Sequence, residues 1–146
     1  MDTSYVGWES QPKTISVEKG QLKFFAKATG ASSRAYWDED VANAQGHPAL
    51  RAPPTFLFTL DLLAPAKEKS VLQQMGIDIG RILHGEQRFR YGKPIYAGDE
   101  ISLISRVTDI YEKKGGKLQF IVTETTAINQ HEEFVGTMIN SIVVRK

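Results

Sequence analysis

The sequence contains no cysteine among its 146 residues. This absence excludes disulfide frameworks, zinc sites built on thiolates and catalysis by a cysteine nucleophile. Histidine is also scarce, because only His47, His84 and His131 are present. No two of them have the spacing of a metal-ligand pair. We therefore expect no bound metal.

An excess of charge of one sign is missing as well, since 18 lysines and arginines stand against 17 aspartates and glutamates. Proteins that bind nucleic acid or membrane surfaces through bulk charge carry a basic excess. The first residues do not show the basic and then apolar pattern of a targeting peptide, and the most apolar stretch is too short to span a bilayer. We therefore predict a cytoplasmic protein that binds neither nucleic acid nor membrane.

The most apolar stretch runs from Thr55 to Ala64, directly after Pro53-Pro54 and just before Pro65. Prolines at these two places are typical of the start and the end of a helix. A hydroxyl at the first position can cap the free N–H groups of the first turn. A helix that is apolar on nearly every face belongs inside a domain. The pattern predicts one buried helix capped by Thr55, in a single domain over residues 1–146.

Helical signals precede this stretch and strand signals follow it. Apolar residues at Leu22, Phe24, Phe25 and Ala28 predict an amphipathic helix that ends at Gly30. Residues 37–45 predict a short helix with an acidic start, and residues 13–17 a strand.

From residue 77 onward the alternation predicts strands, joined by a hairpin at residues 113–116 and a turn at 129–133. Leu118, Phe120 and Val122 are predicted to share one face of their strand. In the last strand, Phe134 and Met138 are predicted to share another face. Since apolar residues occupy both faces of that last strand, we expect both to be covered. The whole predicts an antiparallel meander of four or more strands around one helix, an α+β fold.

Several short motifs occur in a fixed order along the chain. They are Phe25-Ala26-x-Ala28-Thr29-Gly30, Ala42-x-Ala44-x-Gly46-His47-Pro48, Ala52-Pro53-Pro54-Thr55-Phe56, His84-Gly85-Glu86-Gln87 and Pro94-Ile95-x-Ala97-Gly98-Asp99. Together they resemble the MaoC-like hydratases and dehydratases, in particular the N-terminal half-domain type. The resemblance covers the chain from about residue 20 to its end, and it implies a hotdog fold, an antiparallel sheet wrapped around a central helix.

The resemblance also implies a substrate class and a missing catalytic pair. Active members hydrate trans-2-enoyl thioesters of coenzyme A or acyl carrier protein to (R)-3-hydroxyacyl thioesters, or run the reverse. They use an Asp directly after the glycine of the first motif and a His five residues later to hold and polarise water. Here these positions are Ala31 and Tyr36. Alanine cannot accept a proton, and tyrosine, with a reference pKa of about 10, is a poor base.

The resemblance therefore implies a non-catalytic half that helps to shape an acyl tunnel. Such a half works as a homodimer or as a heterodimer with a hotdog subunit that bears the Asp/His pair. A backbone N–H at the start of the buried helix would polarise the thioester carbonyl. No cofactor is implied beyond the coenzyme A or carrier thioester that serves as substrate.

Other residues offer alternative chemistry. His47 lies beside the helix start and is either a pocket residue or a loop histidine bonded to backbone. His84 and Glu86 form a histidine–carboxylate pair at a pocket mouth, or His84 merely satisfies a turn. Asp61 is a carboxylate in an apolar helix; if buried, it would have a raised pKa suited to a general base, and near the helix end it could instead reach solvent.

Predicted substrate-binding residues surround the start of the buried helix. They are Tyr36, His47, Arg51, Pro54, Thr55 and Phe56. Phosphate groups could be held by Arg51, Arg88, Arg90 and Lys93, although Arg88 and Arg90 also fit the solvent side of an alternating strand. Two further functions stay open: an acyl-thioester hydrolase that uses Asp61 or Glu86, and a non-enzymatic acyl-thioester-binding protein.

Overall fold

The computed structural model describes residues 1–145, which form five strands and four α-helices. In chain order the elements are β1 (Lys13–Ser16), α1 (Lys19–Thr29), α2 (Glu39–Ala44), α3 (Phe56–Leu63), α4 (Val71–Gln74), β2 (Ile82–Tyr91), β3 (Glu100–Lys113), β4 (Leu118–Ile128) and β5 (Phe134–Arg145). None of these helices has both the length and the apolar character needed to cross a membrane.

The strands form one antiparallel sheet in the order β1-β3-β4-β5-β2. Strands β3, β4 and β5 are the predicted meander. The prediction of a meander throughout is wrong, because β2 pairs with β5 instead of with β3. The connection between β2 and β3 therefore crosses from one side of the sheet to the other, which leaves β1 and β2 as the two edges.

Helix α3 packs against the sheet through Phe56, Leu57 and Leu60, each at most 1% exposed. A Cβ on Gly136 of β5 would lie 2.7 Å from Leu57 Cδ2, so the missing side chain permits the close approach of helix and strand. The start of the helix is thereby fixed against β5.

Two details of the helix prediction are corrected. Thr55 occupies the N-cap position, but its hydroxyl makes no capping hydrogen bond, because its backbone is already helical (φ −73°, ψ −7°). Burial is confined to one face, since Leu62 and Leu63 are 68% and 49% exposed. In the last turn Leu60 stays buried, whereas Leu62 and Leu63 face solvent.

The predicted amphipathic pattern of α1 is only partly correct. Leu22 and Ala26, one turn apart, are buried, whereas Phe24 is 75% exposed and Ala28 is exposed. Positions 22 and 26 share a face at helical spacing, and positions 24 and 28 lie on another. Gly30 ends the helix in the left-handed conformation, as predicted.

Strand faces also differ from the simple alternation. Leu118, Phe120 and Val122 do share one face of β4, but that face is only half-buried, and the core face carries Ile121 between them. In the pairing of β5 with β4, Val135 has no partner residue. Val135 joins the core, whereas Phe134 is 43% exposed. Because this extra residue breaks the period of two, Phe134 does not share the core face with Met138.

The interior holds two separate apolar clusters. The first surrounds α3 and includes Leu57, Leu60 and Met138. The second lies under α4 and the first residues of the chain, and Ile142 belongs to it. Met138 and Ile142 are four residues apart on one face of β5, so the boundary between the clusters falls between them.

We expect Gly136→Ala to lower the free energy of unfolding by about 1–3 kcal/mol, because the added methyl would overlap the fully buried Leu57. Chemical denaturation measures this change. Gly20→Ala is the matched control, since nothing lies within 4 Å of its Cβ position and it stands in α1. Equal effects of the two changes would show that the approach at Gly136 is not tight.

We expect the carboxyl of Asp38 to titrate below the ordinary pKa of an aspartate. Its pKa is lowered first by the backbone N–H of Val41 and then by Arg34, whose Nη2 lies 2.7 Å from Asp38 Oδ2. Because this pKa is lower in the folded state than in the unfolded state, the Asp38 carboxylate stabilises the fold at pH values above its unfolded-state pKa. The stabilisation is lost as the pH falls through the folded-state pKa. A carboxyl-carbon NMR titration measures the pKa.

Asp38→Asn is the control for this capping effect, because asparagine still caps a helix but does not titrate. In that variant, the destabilisation of helix α2 that protonation of Asp38 causes at low pH should disappear. A pKa at or above the ordinary aspartate value would contradict the assigned cap.

Candidate functional site

The segment between α1 and α3 carries most of the predicted site residues. Gly30 ends α1, Asp38 caps α2 through the N–H groups of Asp40 and Val41, and the chain then runs through His47 toward the start of α3. The predicted site residues of this segment therefore lie between the end of α1 and the start of α3.

His47 and Arg51 meet at Tyr96. His47 Nδ1 lies 2.9 Å from the hydroxyl of Tyr96, and Arg51 forms an isolated backbone bridge with the same residue. Asp99 accepts the backbone N–H of Tyr96 and so fixes the turn that presents the ring. His47 therefore forms a hydrogen bond with a side chain. The alternative interpretation was a loop histidine hydrogen-bonded to the backbone. The tautomer of His47 decides which of the two rings donates this hydrogen bond.

Sequence reasoning missed Tyr96. The residue stands at the variable position of the Pro94–Asp99 motif. Its position gives no sign that it meets a histidine 49 residues earlier. The signal available was an aromatic hydroxyl inside a motif that carries the same family resemblance as the motif of His47.

The start of α3 is a tight turn. The N–H of Phe56 donates to the carbonyl of Pro53 at 2.9 Å, and that of Phe58 to Thr55 at 3.1 Å. Pro54 and Thr55 are exposed, while Phe56 is buried with its ring edge against Phe25 at 5.2 Å between centroids. Pro54 and Thr55 are thus open to a ligand, and Phe56 supports them from inside.

The two positions that the resemblance equates with the catalytic pair lie in the connecting segment. Ala31 is half-buried and lines an open cavity of about 480 Å³ with Lys23, Lys27 and Trp37. Tyr36 is half-buried in the 3₁₀ turn Arg34–Tyr36. The residues lining this cavity supply positive charge and an aromatic ring, and no carboxylate.

His84 and Glu86 have different partners. Both are exposed on the edge strand β2, where a register shift at Gly85 interrupts the alternation between them. The ring of His84 meets Phe58 edge-on at 6.3 Å, whereas the Glu86 carboxylate pairs with Arg88 Nε at 2.8 Å. Of the two alternatives for His84, the histidine–carboxylate pair with Glu86 is therefore not formed.

The predicted phosphate-binding residues fall into two groups. Arg88 is paired with Glu86, and Arg90 Nη2 lies 3.6 Å from Glu124 Oε2. Both arginines project to solvent, as the alternative interpretation of an alternating strand requires. Lys93 is exposed and Arg51 is half-buried.

Asp61 lies in the second half of α3 and is paired with Lys13 of β1. The ammonium lies 2.9 Å from Asp61 Oδ1, but its hydrogen bond is directed at the backbone carbonyl of Asp61. The carboxylate is therefore neutralised in charge, while Oδ1 lacks an aligned hydrogen bond among the described residues. The side chain of Asp61 is 24% exposed, so it lies at the boundary of the interior and not in open solvent.

A second cavity, of about 330 Å³, lies between this half of α3 and the sheet. Residues from the helix, all five strands, the 8–11 segment and the 66–72 segment line it, and they include Lys13, Phe58, Asp61, Leu62, Gln87, Ser105, Thr123, Thr125 and Asn140. Within residues 1–145, no three histidine or carboxylate side chains are grouped as metal ligands.

Comparison with known proteins places these features in a family. The model described as "FAS1-like, dehydratase domain region" matches residues 4–138. A UPF0336 protein of Streptomyces coelicolor is 38% identical over 122 residues, covering 81% of this chain and 79% of its own. A UPF0336 protein of Saccharopolyspora erythraea is 33% identical over 149 residues, covering 99% and 92%.

Solved structures agree with this assignment. The C-terminally truncated HadBC (3R-hydroxyacyl-ACP dehydratase) complex of Mycobacterium tuberculosis superposes with a TM-score of 0.81 and 26% identity, over 98% of this chain and 99% of that one. The ChsH1-ChsH2 complex of the same organism has a TM-score of 0.75 at 20% identity, over 95% and 89%. The predicted α+β hotdog fold is confirmed, and the chain belongs to the FAS1-like dehydratase-region family of MaoC-like hotdog proteins.

Proposed function

We propose that this chain binds an acyl thioester and serves as the catalytically degenerate subunit of an (R)-specific enoyl-thioester hydratase or 3-hydroxyacyl-thioester dehydratase. One observation carries the proposal: the positions equated with the catalytic Asp and His are Ala31 and Tyr36, in a chain whose family and fold are those of dehydratases. An alanine has no group to orient the water that adds to C3 of the substrate.

In this proposal a second hotdog subunit supplies the Asp/His pair. The edge strand β2 supports such pairing, because it is ten residues long and leaves one side unpaired within the described chain. Long free edges are templates for pairing with another chain. Exposed Ile79 and Leu83, at 74% and 46%, lie just before and within this strand. HadBC and ChsH1-ChsH2 are themselves complexes of two different chains.

This chain's own residues would then bind and orient the substrate. The exposed Pro54 and Thr55 would meet the thioester at the start of α3. His47 of the connecting segment is held by Tyr96, which lies between β2 and β3. Arg51 and Lys93 are the better candidates for phosphate contact, because Arg88 and Arg90 already pair with carboxylates. The substrate is a coenzyme A or carrier thioester, and the setting is the cytoplasm.

We expect the purified chain alone to leave a short trans-2-enoyl-CoA unchanged, measured by the absorbance of the enoyl thioester. Co-expression with an Asp/His-bearing hotdog subunit should yield a stable complex that hydrates the substrate. Substituting the partner's Asp and His should reduce the rate of the complex by about 100-fold or more, as expected for loss of acid–base catalysis.

Two outcomes would contradict the proposal. Clear turnover by the folded chain alone would mean that another base has replaced the pair, and Tyr36, His47, His84 and Glu86 would be substituted in turn to find it. Absence of both complex and activity would favour a non-enzymatic acyl-thioester-binding protein.

A thioesterase is the second candidate, because Asp61 lines the interior cavity. Its ion pair with Lys13 favours a structural role instead. We expect no hydrolysis of acyl-CoA by the wild-type chain, and we expect Asp61→Asn to lower the free energy of unfolding by about 0.5–1 kcal/mol. Lys13→Met should cost a similar amount, and the double variant less than the sum of both. A wild-type hydrolase activity that Asp61→Asn abolishes would favour the thioesterase.

A further inference from the structure

A row of polar side chains crosses the inner face of the sheet where apolar residues would be expected. Gln87 of β2 stands opposite Asn140 of β5, which stands opposite Thr123 of β4. All three line the 330 Å³ cavity beneath α3. In register across three neighbouring strands, they form one continuous polar strip, here called the polar row.

The polar row lies between the two apolar clusters. On β5, Asn140 is two residues from Met138 of the first cluster and two from Ile142 of the second, all on one face. An apolar residue at this position would join the clusters into one core. The sheet interrupts its core at the place where the cavity lies.

Two oxygens of the polar row are buried without a hydrogen-bond partner in residues 1–145. They are Gln87 Oε1 and Asn140 Oδ1. Burial of an amide without a hydrogen bond is unfavourable. By contrast Ser105 and Thr125, one step along the sheet, satisfy each other at 2.8 Å. The polar row is therefore not an ordinary self-satisfied network.

The remaining walls determine which groups fit. Phe58 and Leu62 of α3 are apolar, which suits a hydrocarbon chain, and the Asp61 carboxylate is already paired with Lys13. The volume exceeds by more than tenfold the roughly 10–15 Å³ that one water needs. From Phe56 to Asp61 the helix rises by about 8 Å, so the cavity lies that far beyond the helix start.

We infer that this cavity receives the distal part of an acyl chain that carries a hydroxyl group, and that the polar row selects such a chain over an unsubstituted one. Both oxygens are buried in the unliganded protein, so the hydroxyl can donate to Gln87 Oε1 or Asn140 Oδ1 once that amide turns toward the cavity, whereas a methylene leaves both oxygens unsatisfied. The inference rests on the proposed function in one respect, that the acyl chain of the thioester enters beside α3.

The test compares binding of matched chains by titration calorimetry. One arm uses a saturated medium-chain fatty acid and the isomers in which a single hydroxyl is moved along the same chain. The other arm uses the coenzyme A thioesters of the same acids. We expect one hydroxylated isomer to bind about tenfold tighter than the plain chain in both arms, which corresponds to one net hydrogen bond.

Asn140→Leu should remove most of this preference, because it replaces the amide by an apolar group of similar size, and it should not destabilise the unliganded protein. Gln87→Met makes the same test from β2 if the first variant fails to fold. Asn43→Leu is the matched control, since the same change on the exposed face of α2 should leave the preference unchanged.

The arms separate this inference from the proposed function. Equal binding of plain and hydroxylated chains would overturn the inference and leave the proposed function intact. Selective binding of a hydroxylated free acid, with no binding of any thioester, would support the cavity and overturn the proposed function. Failure of every chain to bind in either arm would overturn both.

Discussion

The close approach of α3 to β5 at Gly136 is the constraint on which both cavity and site depend. Leu57 occupies the space that a side chain at this position would fill, so the first half of the helix lies directly on the sheet. Four residues further along β5, at Asn140, a cavity lies between the helix and the strand in place of close packing. The same helix therefore presents a rigid, exposed start at Pro54 and a distal half beside open space.

Local signals were sufficient to predict the elements and the fold class. Three such signals are the prolines around residues 53–65, the glycine that ends α1 and the alternation after residue 77. Each reflects a local backbone preference that does not depend on tertiary contacts. The pairing of β2 with β5 could not be predicted in this way, because it depends on contacts between segments some 50 residues apart. The extra residue at Val135 was hidden for a related reason, since a bulge is defined only against its partner strand.

The site was predictable as a set of residues and not as an arrangement. His47 and Arg51 were identified from motifs, yet the residue that joins them, Tyr96, comes from a different loop. Asp61 stood out as a charge in an apolar helix, but its meaning changes once Lys13 of β1 lies 2.9 Å away. Long-range partners decide whether such a group is a base or part of an ion pair, and a sequence without them leaves both interpretations open.

Two features favour the division of labour in the proposed function: Ala31 and Tyr36 at the positions that the resemblance equates with the acid–base pair, and buried amide oxygens without a hydrogen-bond partner in residues 1–145. A chain that served only to support a partner's fold would be more stable with leucine or valine at Gln87 and Asn140, because these would unite its two apolar clusters. With Ala31 and Tyr36 at the catalytic positions, as we propose, a chain that performed the chemistry itself would need a carboxylate or an imidazole there. The proposed binding role accounts for both features, since polar groups that line the cavity beside α3 reduce stability but would let the site distinguish one acyl chain from another.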